Sequence, residues 1–151
     1  MTATSTNRRT AIFPGSFNPF TIGHADIVER GLEIFDRIVI AVGYNAGKPA
    51  ADAEAVAEEI RRIYSGRSEI EVVVYSCLTI QLARQMGAGF IIRGVRSVKD
   101  FEYERDLATV NMQLSGIESV ILFSRPELAA LSSSMVRELA AYGQDVSHYL
   151  P

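Results

Sequence analysis

The chain has 151 residues, 48% of them hydrophobic and 22% charged, with a net charge of -3 at pH 7. That is enough for one domain with a sizeable core and too little for two. A pI near 5.4 argues against a general nucleic-acid or membrane-surface binder, and the single cysteine, Cys77, excludes an intrachain disulfide framework or a cysteine-based metal cluster. No apolar run approaches the roughly 20 residues of a membrane-spanning helix, and MTATSTNRRT lacks the apolar stretch of a secretory signal. The expected location is therefore the cytoplasm, with no nucleic-acid or membrane partner.

Residues 1–9 are polar and read as a flexible segment before a domain over 10–151. Five short apolar, β-branched runs then recur: Thr10–Phe13, Arg37–Gly43, Ile70–Tyr75, Gly89–Gly94 and Glu118–Ser124. Near-continuous apolar runs suit parallel strands buried on both faces. Between them lie helical stripes: Ile27, Val28, Gly31, Leu32 and Phe35, then Val56, Ala57, Ile60 and Ile63. Leu107, Val110 and Leu114 form the next, and Met135, Val136, Leu139 and Ala140 the last. Gly87 and Gly143 stand where helices should stop. The alternation predicts an α/β, Rossmann-like single domain, a five-stranded parallel sheet with helices on both faces.

Ligands of such sheets bind beyond the carboxyl ends of the strands, and the unusual chemistry of this chain falls there. After the first strand comes GSFNPFTIGH, Gly15–His24. Gly15 and Ser16 allow backbone N–H groups to approach an anion, and Thr21 can cap a helix whose first turn holds His24. The stretch is neither GxGxxG nor a Walker A loop. Lys48 follows the second strand. After the fourth, Arg93 and Arg96 read either as a phosphate clamp or as partners of the acidic run Asp100, Glu102 and Glu104. After the fifth, Ser132, Ser133 and Ser134 offer a helix cap and N–H groups to a further phosphate. Cys77 reads as a small buried residue without a catalytic role, and His148 as a surface residue.

TIGH at Thr21–His24 and SSSMVR at Ser132–Arg137 resemble the two signatures of the nucleotidyltransferase superfamily. With GSFNPFTIGH and IIRGVRSVKDFEYE (Ile91–Glu104), the chain is similar to the bacterial phosphopantetheine adenylyltransferases from Ala11 to Pro151. The resemblance implies transfer of an adenylyl group from ATP to 4′-phosphopantetheine, giving dephospho-coenzyme A and pyrophosphate, with Mg2+ and a homohexameric assembly. It implies catalytic roles for His24, Lys48 and Arg96, and no residue that ligates metal. ATP would meet Ser16, Phe17, His24, Gly94, Val95, Arg96, Glu104, Leu128, Ala129, Ala130, Leu131, Ser132, Ser133 and Ser134. The second substrate would meet Ser16, Lys48, Thr79, Arg93 and Asn111. The alternatives are a sister nucleotidyltransferase acting on another phosphate acceptor and a non-catalytic ATP-binding sensor.

Overall fold

The computed structural model describes residues 9–151, so the expected flexible segment 1–9 lies outside the described residues except for Arg9. Five strands alternate with helices along the chain. They are β1 (Thr10–Gly15), β2 (Arg37–Gly43), β3 (Ile70–Tyr75), β4 (Phe90–Val95) and β5 (Glu118–Phe123). The helices are α1 (Ile22–Gly31), α2 (Ala50–Ile63), α3 (Thr79–Gln85), α4 (Val98–Ser115) and α5 (Ser133–Ala141). All strand pairs are parallel and the order is β3-β2-β1-β4-β5.

Strand residues alternate between two hydrophobic clusters, as a pleated strand requires. Ala11, Phe13, Ile38, Ile40 and Ile92 pack with Ile27 and Val28 of α1 and Ala57 and Ile60 of α2. Ile12, Val39, Ala41 and Ile91 pack on the other face with Ile80, Leu82 and Ala83 of α3. Helices therefore cover both faces, and the central strands are apolar at nearly every position because neither face sees water.

The topology reverses between β1 and β4, and there the sheet opens. β1 stays paired with β2 as far as Gly15, and β4 with β5 as far as Val95. Yet β1 and β4 are paired only at Ala11–Phe90 and Ile12–Ile91. Pro14, inside β1, has no N–H to give to a ladder, so its place is where a neighbour has departed. The result is a crevice at the topological switch point.

Three expectations are corrected. Leu107, Val110 and Leu114 of α4 do not face the core of this chain but are exposed. Their period is real, but a helical stripe records which face is apolar and not what covers it. Ile63 is also exposed, and the core position at the end of α2 is taken by Tyr64. Cys77 is exposed because it lies on the loop between β3 and α3, beyond the sheet edge. Gly87 and Gly143 do follow their helices in the left-handed region, at φ 67° and 80°, where glycine is the least strained residue.

Candidate active site at the sheet switch point

The loop after β1 is built by its aromatic residues. Phe17 adopts φ 48°, an uncommon backbone for a residue with a side chain, and its ring turns back over Gly15. A Cβ on Gly15 would stand 2.9 Å from that ring, so glycine is needed there. Phe17 and Phe20 flank His24, with ring centroids 5.0 and 5.4 Å away, and Phe13 lies 6.4 Å from it. Three rings thus surround one imidazole.

Thr21 is the N-cap of α1 and forms a capping box with His24. The backbone N–H of Thr21 donates to Nδ1 of His24 at 3.0 Å. That bond fixes the neutral tautomer: Nδ1 accepts, so Nε2 carries the hydrogen. Burial, then the cations of Arg93 and Arg96, push the imidazole down to about 4, so it is neutral at pH 7. His24 is therefore a positioned N–H donor, not a cation, and lines a cavity of about 340 Å³.

The same cavity is bounded by Ser16, Phe17, Gly94, Arg96, Leu128, Leu131 and the serines Ser132 to Ser134. The serine hydroxyls are already engaged. Ser132 caps α5 by accepting from the Met135 N–H, Ser133 donates to the Pro19 carbonyl at 2.7 Å, and Ser134 accepts from Arg137. What the α5 terminus offers a ligand is the N–H groups of its first turn and a partial positive charge. Arg137 also donates to the Asn18 carbonyl, so the loop after β1 is locked to helix α5 beside the cavity. Sequence reasoning misses Arg137 as a site residue, although it closes the SSSMVR motif.

A second cavity of about 350 Å³ adjoins the first, and the two share Pro14, Gly15 and Arg93 as a common wall. It is lined by Tyr75, Thr79 and Asn111, with Tyr75 and Thr79 hydroxyls 2.8 Å apart. The sequence-derived residues thus sort themselves. Those expected to meet ATP gather mainly in the first cavity, and Thr79, Arg93 and Asn111 gather in the second.

Several expected residues fall elsewhere. Glu104 lies in the second cavity and not the first, buried and paired with Arg93. Val95 is buried under a small apolar cleft with Val98, Phe101 and Phe123. Ala129 and Ala130 follow a short 3-10 turn behind the first cavity without lining it. Lys48 is exposed on the loop between β2 and α2 and lines neither cavity. Both arginines are ion-paired, Arg93 with Glu104 and Arg96 with Asp100 at 3.6 Å, and Arg93 also lines both cavities. Arg96 nonetheless keeps its place on the first cavity.

Among the described residues no group of three or more His, Cys, Asp or Glu could hold a metal ion, and no helix is long and apolar enough to cross a membrane. The arrangement can bind two anionic groups on either side of one guanidinium and donate hydrogen bonds to atoms between them.

Comparison with known proteins gives a consistent picture. A family model described as cytidylyltransferase-like matches residues 12–139. A phosphopantetheine adenylyltransferase of Porphyromonas gingivalis is 53% identical over 142 residues, covering 93% of each chain. One of Bacteroides thetaiotaomicron is 49% identical over 144 residues, covering 95% of each. One of Leuconostoc citreum is 46% identical over 136 residues, covering 89% of this chain and 86% of its own. At this identity over nearly its whole length, the chain belongs to the cytidylyltransferase-like family and, within it, to the phosphopantetheine adenylyltransferases.

Proposed function

We propose that the protein transfers the adenylyl group of ATP to 4′-phosphopantetheine, forming dephospho-coenzyme A and releasing pyrophosphate. The observation that carries this reading is the pair of adjoining cavities at the switch point, with Arg93 in their common wall and no carboxylate or cysteine among the described residues that line the His24 side. Such a site suits a reaction in which the substrates already hold the reactive groups.

In the proposed step an oxygen of the phosphopantetheine phosphate attacks the α-phosphorus of ATP. The new P–O bond forms as the bond to pyrophosphate breaks. The attacking group is an anion, so no general base is required, and charge must instead be stabilised on the α-phosphoryl oxygens. His24 Nε2–H is the donor assigned to that task, because its partner nitrogen is held by Thr21. Arg96 and the α5 N-terminus face the triphosphate, with Ser16, Phe17, Gly94 and the segment Leu128, Ala129, Ala130, Leu131, Ser132, Ser133 and Ser134 on the nucleotide side. Val95 supports that side from beneath. Arg93 takes the acceptor phosphate, Thr79 and Asn111 take the pantetheine arm, and Lys48 approaches the same phosphate from the loop after β2.

With no carboxylate cluster among the described residues to hold it, Mg2+ would rely on the nucleotide's own phosphates and would supply charge neutralisation there. The protein works in the cytoplasm and self-associates into a homohexamer. The apolar residues Val110 and Leu114 on α4 line the second cavity yet stay exposed, and a second copy packed on that face would cover what they leave open to water. Pyrophosphate release from MgATP with phosphopantetheine tests the reaction. Release only with another phosphate acceptor would replace the substrate, and ATP binding without release would make the protein a sensor.

A further inference from the structure

α4 runs for 18 residues and buries a single side chain, which is the carboxylate of Glu104 and not one of its leucines or valines. A buried carboxylate is costly unless it is paired. Glu104 is spent entirely on one group. Its Oε2 accepts from Arg93 Nε–H at 3.0 Å, and its Oε1 accepts from Nη2–H at 2.7 Å.

Arg93 is fixed a third time, since Nη1 donates to the Pro14 carbonyl across the gap where β1 and β4 have parted. A guanidinium carries five N–H donors in one plane. Three are taken, and one on each terminal nitrogen is left for a ligand. Glu104 sets the plane in which those two lie, reaching from the second cavity to the guanidinium that both cavities share.

The structure assigns Glu104 the role of a positioning residue: it holds the Arg93 guanidinium in the wall between the cavities, with two donors presented to the acceptor's phosphate. The identity of that phosphate rests on the function proposed above, whereas the link from Glu104 to Arg93 does not. The two explanations of a carboxylate beside an anion site have opposite signs. By electrostatics alone, removing its negative charge tightens anion binding. A positioning carboxylate, once removed, loosens it.

Calorimetry on the full chain decides between them. Glu104→Gln, nearly the same shape and uncharged, should raise the Kd of 4′-phosphopantetheine roughly tenfold, the order of one charge-assisted hydrogen bond. Glu104→Asp keeps the charge but draws the carboxylate back by one methylene, and it should weaken binding as well. In an Arg93→Met background, Glu104→Gln should weaken binding no further, because the group it positions is gone. In steady state, KM for the acceptor should rise more than KM for ATP.

Binding in Glu104→Gln as tight as or tighter than in wild type would overturn the assignment, as would additive effects of the two substitutions or a rise confined to KM for ATP. Should Glu104→Gln fail to fold, Glu104→Asp decides the same question: unchanged affinity refutes positioning. Inorganic phosphate, titrated separately, needs only the anion site and should follow the same order. A wild type that ignores phosphopantetheine while phosphate keeps that order contradicts the proposed function and leaves the role of Glu104 standing. Equal phosphate affinity in wild type and Glu104→Gln contradicts the role itself.

Discussion

Lowering the pH should weaken the fold through His24 before most carboxylates titrate. The free imidazole titrates near 6.5, while burial among three phenylalanine rings and the cations of Arg93 and Arg96 hold His24 at about 4. The folded state disfavours the protonated ring, so the unfolded chain binds more protons between pH 4 and 6.5. Stability must therefore rise with pH across that window and be lost as pH falls through it. Each pH unit of displacement is about 1.4 kcal/mol. The contribution is at most about 3 kcal/mol, of which about 2 kcal/mol has gone by pH 5. Urea unfolding of wild type and His24→Gln from pH 7 to 4 measures it, because the carboxylates cancel in the difference. The wild-type advantage should shrink by about 2 kcal/mol between pH 7 and 5. A difference that stays constant, or a His24 proton resonance with a midpoint near 6.5, would refute the account of a neutral, buried donor.

Three further outcomes are expected. His24→Ala should lower kcat by about 10² or more, the usual loss when one transition-state donor is removed, and steady-state pyrophosphate release measures it. Thr21→Ala removes the side-chain cap of α1 and should cost about 1 kcal/mol in urea unfolding; it spares the backbone N–H that holds His24, so kcat should fall far less than in His24→Ala. Light scattering behind a sizing column should give a mass well above the 16.6 kDa chain, and Val110→Glu with Leu114→Glu should lower it. A monomeric wild type would contradict self-association.

Much of the fold is legible in the sequence because its signals are local. Each strand can be read to within two residues of its ends, since a parallel strand between two helical layers must be apolar on both faces, as β1 and β2 are. β1 runs two residues past the expected Phe13 because Pro14 and Gly15, although turn formers, sit where only the β2 side is still paired. Thr21 and Ser132 are legible as caps because capping is decided within one turn. What cannot be read is set by contacts between distant residues. Arg93 announces itself as an arginine at the end of a buried strand, in need of an anion. That its partner is Glu104, rather than Asp100 or Glu102, depends on which side of α4 meets β4. Arg137 escapes notice because its role depends on the Asn18 carbonyl, 119 residues away. The outward apolar face of α4 looks like core because periodicity carries no information about the neighbour.

The most direct test of the central claim is pyrophosphate release from MgATP with 4′-phosphopantetheine or nicotinamide mononucleotide offered separately. The account predicts release with the first and none with the second. Release with nicotinamide mononucleotide alone, or none with either while ATP still binds, would contradict it.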